Sequence, residues 1–268
     1  MKKMNIIDAH AHIFPDRIAD KATNSIGRFY ALPMSHSGSS EKLLESGSKI
    51  GCSGYLVCSV ATRPRQVSAV NDFISMQVQE HPSFIGFGTV HPYMADPLGE
   101  ISRFMALGLK GIKLHSDFQE FPIDDPQAFP IYRKAEREGI PILFHCGDSR
   151  FGFAYSSPLR LISTLGFFPG LKAIAAHFGG YSEWEHVTGY PKLPNLYFDT
   201  CSSLFLLPRE KCLELIGLYG ASQFFFGSDF PMWDHQEELE RFRALGLSKA
   251  DEALVLGGNF ARFMGQET

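Results

Sequence analysis

Two histidines one residue apart, His10 and His12, stand where the apolar run "NIIDAHAHIF" gives out. Side chains two apart on a strand share a face, so both imidazoles point the same way. A buried strand gains nothing by ending on imidazoles, whereas a cation that takes nitrogen ligands needs them. Other β-rich runs end in the same manner. Lys113 and His115 close "GIKLHS", His145 stands in "PILFHCG", His177 in "KAIAAHFG" and Asp229 in "FFFGSDFP". Of the ten histidines in the chain, five fall at such termini, which scattered placement would rarely produce. Three imidazoles and a carboxylate around one point suit a borderline divalent ion, Zn²⁺ first and Mn²⁺ as the alternative.

A lone histidine at a strand end is more often a hydrogen-bonded core residue than a ligand. The pairing of His10 with His12 after the acidic Asp8 reverses that balance. Strands five and eight of a barrel can face one axis, which brings His145 and Asp229 to the same side of the argument. His177 reads as a functional group with ligand and acid–base roles both open. Lys113 and His115 are evenly divided between a second metal or substrate contact and a plain structural role. His36, His81, His91, His186 and His235 lie in loops or near helices and read as surface or packing residues, His91 least securely because it ends a strand.

These groups require elements that place them at one end of a sheet. The β-rich runs number eight, and after the first they recur about every strand-plus-helix length of a βα unit. Between them lie segments of helical period, among them Val67 to Glu80, Pro97 to Ala106 and Pro126 to Glu138, the last with Pro130 marking a late start. Gly108 and Gly139 are expected stop signals. The strands are nearly continuous apolar runs, as parallel strands covered on both faces are. The expectation is an α/β fold, a (β/α)8 TIM barrel with parallel strands, formed by one domain over residues 1–268. A doubly wound sheet competes poorly, because no Gly-rich first turn is present. Residues 15 to 40 read as a long irregular loop, a candidate lid or pocket wall. "HQEELERFRALG" and "SKADEALVLGGNFARFM" read as two closing amphipathic helices.

With 268 residues, 44% of them hydrophobic, the chain can bury one large core. A net charge of −4 without a basic run gives no footing for nucleic acid or a polybasic membrane surface, and no apolar stretch is long enough to span a bilayer. Five cysteines without CxxC spacing read as reduced thiols, hence a cytoplasmic protein. Cys146 alternates with His145 and is expected to pack against helices rather than act as a nucleophile.

"DAHAHI", "GIKLH", "ILFHCGD", "AAHFGG" and "FFFGSDFP", in this order on successive strands, resemble the amidohydrolase superfamily. The likeness is to its amidohydrolase-related branch, the one that includes aminocarboxymuconate semialdehyde decarboxylase. It spans nearly the whole chain and implies that His10, His12, His145 and Asp229 hold one divalent ion, with His177 as the nearby acid–base group. Many members carry a carboxylated lysine at strand four that bridges two metals; Lys113 occupies that strand, though the branch resembled works with one metal. A metal-activated water, with Asp229 and His177 moving protons, would hydrolyse an amide, lactone or ester of a small, carboxylated molecule. The same groups would support a non-oxidative decarboxylation, the alternative reading. A barrel that binds metal and ligand without turnover is the rival from another class. Arg63 in "ATRPR" and Arg150 in "GDSRFG" are candidates for binding a substrate carboxylate. Asp199 and Asp148 are candidates for orienting ligating histidines. Phenylalanines in "RFGFAYSSP" are candidates for an aromatic pocket wall. Pairing into a homodimer through the helices is expected.

Overall fold

The computed structural model describes residues 5–148, 150, 152 and 154–266. Eight strands form one sheet in the order of the sequence. They are β1 (Ile6–His12), β2 (Cys52–Cys58), β3 (Phe84–Thr89), β4 (Gly111–Leu114), β5 (Ile142–Phe144), β6 (Ala173–Ala175), β7 (Leu196–Asp199) and β8 (Phe224–Phe225). Helices fill the connections: α1 (Asp16–Tyr30), α2 (Ser40–Ser48), α3 (Val67–Glu80), α4 (Pro97–Ala106), α5 (Ser116–Gln119), α6 (Phe129–Glu138), α7 (Pro158–Phe167) and α8 (Arg209–Tyr219). Past β8 come α9 (His235–Arg243), α10 (Lys249–Ala253) and, after a π-helical turn, α11 (Asn259–Phe263). Parallel strands in sequence order with helical crossovers constitute the (β/α)8 barrel fold.

The chain divides into two compact units. The first comprises Met1–Val57, Ser83–Ile85 and Asp199–Thr268. In it the segment after β8 runs alongside β1: Ala9 N–H donates to Phe226 O at 2.8 Å, Asp229 N–H to His10 O at 2.9 Å and His12 N–H to Phe230 O at 2.7 Å. Those bonds fix the register that sets Asp229 beside the histidine pair. Gly227 makes the approach feasible, since a Cβ there would lie 3.1 Å from His10 Cβ.

The second unit comprises Cys58–Pro82 and Gly86–Phe198. Its strands pair in a uniform parallel register, with Lys113 opposite Thr89 and Leu143, and Phe144 opposite Ala175. Their side chains, among them Ile112, Leu114, Ile142, Leu143 and Ile174, are buried. Removal of such side chains from water is the main source of stability, about 25 cal/mol for each Å² of apolar surface. The helices expected at Val67 to Glu80 and Pro97 to Ala106 have those bounds. Pro130 sits in the first turn of α6, and Gly108 and Gly139 adopt φ +99° and +67° after their helices.

The first connection departs from expectation. Residues 16–30 are not loop but the helix α1. Its buried face is made of Ala19, Thr23 and Gly27, small residues that leave no apolar stripe to read. The remaining short loop is pinned to the β8 exit. Ser35 N–H donates to Met232 O and His36 N–H to Pro231 O, both at 3.1 Å, and the His36 ring stacks on Phe230. These ties hold it in place and do not suit a free lid.

Candidate metal centre

In the first unit, β1 delivers His10 and His12 and the β8 exit delivers Asp229. His10 Nε2 and His12 Nε2 are 3.2 Å apart. Asp229 Oδ1 lies 3.3 Å from His12 Nε2 and 3.8 Å from His10 Nε2. Bonds of 2.0–2.1 Å at tetrahedral angles separate ligand atoms by about 3.3 Å. Two imidazole nitrogens and a carboxylate oxygen therefore already hold the mutual spacing that a four-coordinate ion demands, and the donor set fits a divalent metal.

Buried carboxylates orient these side chains. His10 Nδ1 lies 2.8 Å from Asp199 Oδ2, with both side chains inaccessible to water. Nδ1–H donating to that carboxylate leaves Nε2 with its lone pair facing His12 and Asp229. Cys201 donates its thiol hydrogen to Asp199 Oδ1 at 3.0 Å. His10, Asp199 and Cys201 form a compact buried donor group, but His10 Nδ1–H and the Cys201 thiol both donate to the Asp199 carboxylate, which makes it a hydrogen-bonded support for His10. Asp8 accepts from His10 N–H, from Ser228 N–H and Oγ–H, and from the His235 ring at 3.0 Å. Asp229 Oδ2 accepts from Ser202 Oγ, which itself accepts from Trp233 Nε1–H.

In the second unit, His145 directly follows β5 and His177 stands two residues past the end of β6, and His177 Nε2 lies 2.9 Å from His145 Nδ1. The His145 ring also stacks on His115 at 3.7 Å, and His115 on Phe118 at 3.8 Å. His115, Asp117 and His145 are grouped closely enough to be donors to one ion. Burial pushes the Asp117 carboxyl above the usual range, and nearby Asp148 adds to that against the hydrogen bond from Ser156. His177 and Phe178 adopt φ +61° and +51°, followed by Gly179 at +83°, and the turn is held by Trp184 Nε1–H donating to His177 O at 2.9 Å. Non-glycine residues in this region cost on the order of 1 kcal/mol or more each. Ser202 (φ +48°) and Asp229 (φ +57°) share it just past β7 and β8. Ala31, Glu120 and Ser182 adopt it as well, away from the candidate ligands.

Each expected site residue has a place. Lys113 is fully buried on β4. The Arg150 guanidinium donates two hydrogen bonds to the buried Asp148 carboxylate, at 2.9 and 2.6 Å, and its backbone N–H a third at 2.9 Å. Arg63 is 57% exposed and pairs with the equally exposed Glu120 at 2.8 Å. Cys146 is buried, with Tyr190 Oη at 3.9 Å from its sulfur, as a packing residue should be. No disulfide joins any of the five cysteines, all of which are among the described residues. Phe151 and Phe153, the candidate pocket wall, lie outside the described residues. Ser202, Ser228, Trp233 and His235 were not legible as site residues. His235, expected as a surface or packing residue, is the latter: it is fully buried, with its Nε2 3.0 Å from Asp8 Oδ2. The pattern "WDHQEE" around it signals a helix start and nothing more.

The family model described as Amidohydrolase matches residues 7–266. The chain belongs to the amidohydrolase family. It is accordingly an amidohydrolase-superfamily enzyme that works with a divalent metal. A curated relative, the 2-amino-3-carboxymuconate-6-semialdehyde decarboxylase of Dictyostelium discoideum, is 27% identical over 241 residues. That match covers 73% of this chain and 65% of the relative, so it spans less than two thirds of the relative's length. Two solved structures share the barrel. The 5-carboxyvanillate decarboxylase LigW of Sphingomonas paucimobilis matches at TM-score 0.74 and 18% identity, covering 98% of this chain and 99% of its own. A putative 2-pyrone-4,6-dicarboxylic acid hydrolase of Pseudomonas putida matches at 0.71 and 18%, covering 99% of each chain. Among the described residues, no helix is long and apolar enough to cross a membrane.

Proposed function

We propose that this amidohydrolase is a non-oxidative decarboxylase acting on a small unsaturated or aromatic carboxylic acid. One divalent ion would be held by His10, His12, His145 and Asp229, with His177 as acid–base group. The observation that carries the reaction type is the 27% identity to a curated decarboxylase. The hydrolytic reading favoured by the sequence alone uses the same residues; the hydrolase likeness, at 18% identity, is one of fold. Zn²⁺ is the proposed ion, because two imidazoles and one carboxylate oxygen at near-tetrahedral spacing suit it, and Mn²⁺ is the alternative.

The ion would supply positive charge on which a substrate carboxylate and an adjoining oxygen are oriented. The protein's own groups then carry the reaction. Arg150, steered by Asp148, and Arg63 further out are the proposed guanidinium contacts for the acid group of the substrate. The bond from carbon to carboxylate breaks and its electron pair stays on that carbon. A proton from His177 is delivered there, and Asp229 or solvent returns one to the imidazole. Imidazole titrates in the range such a shuttle needs. Lys113 and His115 are proposed to line the floor and to complete the site.

The test is a substrate panel on metal-reconstituted protein: aromatic and enoic carboxylic acids, lactones and amides, followed by carbon dioxide release and by product identity. Carbon dioxide in step with a product one carboxyl shorter is expected. Opening of a lactone or amide without carbon dioxide would replace the proposal with hydrolysis. Silence across the panel, with metal bound, would favour a binding protein.

A further inference from the structure

We infer that Ser202, oriented by Trp233, is a positioning residue that decides which oxygen of Asp229 faces the cation. The inference rests on the proposal that Asp229 is a metal ligand, and it assigns a role to two residues outside the ligand set. Ser202 is 4% exposed. Its Oγ lies 2.5 Å from Asp229 Oδ2 and 2.9 Å from Trp233 Nε1. An indole nitrogen only donates, so Trp233 occupies a lone pair of the serine oxygen and leaves the hydroxyl hydrogen to point away. Two acceptors are then within reach, Asp229 Oδ2 and the Met232 sulfur at 3.6 Å. A carboxylate is much the stronger acceptor, so the hydroxyl goes to Oδ2.

With Oδ2 tied, Oδ1 is the oxygen that stands 3.3 Å from His12 Nε2 and 3.8 Å from His10 Nε2. Asp229 therefore offers one oxygen, not two. Trp233 is itself fixed, between the Phe205 ring at 4.5 Å and the Arg241 guanidinium at 4.8 Å. One-oxygen ligation keeps the coordination number low. That favours a small four-coordinate ion over a larger one that gathers more oxygens. The chain Trp233–Ser202–Asp229 would thus set metal preference as well as affinity.

The experiment measures Zn²⁺ and Mn²⁺ affinities of metal-stripped protein by competition with a chromophoric chelator, alongside its melting temperature without metal. Ser202→Ala keeps the same backbone region at no greater cost than serine, and because it leaves the Trp233 Nε1–H without its acceptor it should melt a few degrees below the parent while still folding. Its Zn²⁺ affinity should fall about tenfold, the usual scale for a lost outer partner of a ligand. Its Mn²⁺ affinity should fall less, so that the ratio of the two narrows. Trp233→Phe should move both quantities in the same direction by a smaller amount. The double variant should be no worse than Ser202→Ala, because the indole acts only through the hydroxyl. Parent-like affinity and ratio in Ser202→Ala, or losses that simply add, would overturn the inference; should that variant not fold, parent-like behaviour of Trp233→Phe does so. Asp229→Ala separates the two levels. Full metal retention there removes the ligand assignment itself, whereas its loss beside a parent-like Ser202→Ala removes the role of Ser202 alone.

Discussion

His177 shows how much one residue is constrained before any chemistry begins. Its backbone is held at φ +61° by hydrogen bonds to its carbonyl from Trp184 Nε1 and Gly180 N, while its ring meets His145. The main-chain ties do not depend on the imidazole. Asparagine tolerates the left-handed region better than most residues, so His177→Asn removes the proposed acid–base group with little backbone disturbance. It should retain bound metal by elemental analysis and lose turnover by about a hundredfold or more, the scale of a positioned proton donor. Unchanged turnover would remove His177 from the mechanism. Residues of this kind were legible in the sequence because imidazoles at strand ends are chemically out of place. Ser202 and Trp233 were not, because a hydroxyl and an indole are ordinary packing residues until a carboxylate is found beside them. Asp199 stood between: its place at the end of β7 was readable, but its 2.8 Å contact with His10, 189 positions away, was not.

At the scale of elements, what places a proposed ligand is the turn that follows its strand. Gly147, two residues past His145, has φ +81°, and a Cβ there would lie 2.3 Å from Tyr181 O and 2.5 Å from Tyr181 N. The same two turns are tied by Tyr181 N–H donating to Cys146 O at 2.8 Å. The clash is with backbone and cannot be relieved by a rotamer change. Gly147→Ala should therefore drive apart the turns after β5 and β6. The cost should exceed the roughly 1–2 kcal/mol of the left-handed conformation alone, visible as a lower urea midpoint, and metal affinity should fall with it. A variant as stable as the parent would mean that the two turns separate freely. The β-rich runs and most helices were legible because each strand is an apolar run and the helices keep their 3.6-residue period, with Gly108 and Gly139 stopping two of them. α1 was not, because Ala19, Thr23 and Gly27 make close contact without hydrophobic bulk.

For the whole molecule, stability against pH turns on a carboxyl remote in sequence from every proposed ligand except Asp229. Glu238 on α9 is fully buried; Oε1 accepts from Arg241, and Oε2 has no hydrogen-bond partner among the described residues. Burial pushes its carboxyl up to about 7, against the hydrogen bond from Arg241, with Asp229 and Asp8 adding to the rise. The ion pair and the raised value pull in opposite directions, and the orphaned oxygen decides for burial. In the unfolded chain Glu238 titrates near 4.5. Its contribution is therefore fully present below that pH and is lost as pH rises through about 7, on the order of 3 kcal/mol at most. Asp234 has the opposite sense. Burial would raise it, but donors from Gln236, His36 and Lys49 outweigh burial and hold it at about 2, so its contribution is lost only as pH falls from about 4. Comparing Glu238→Gln with the parent cancels Asp234 and the rest. Whatever its stability at pH 5, the variant should gain on the parent by about 2 kcal/mol by pH 8 in urea unfolding. A difference that does not change with pH would show that Glu238 ionises alike in the folded and unfolded chain.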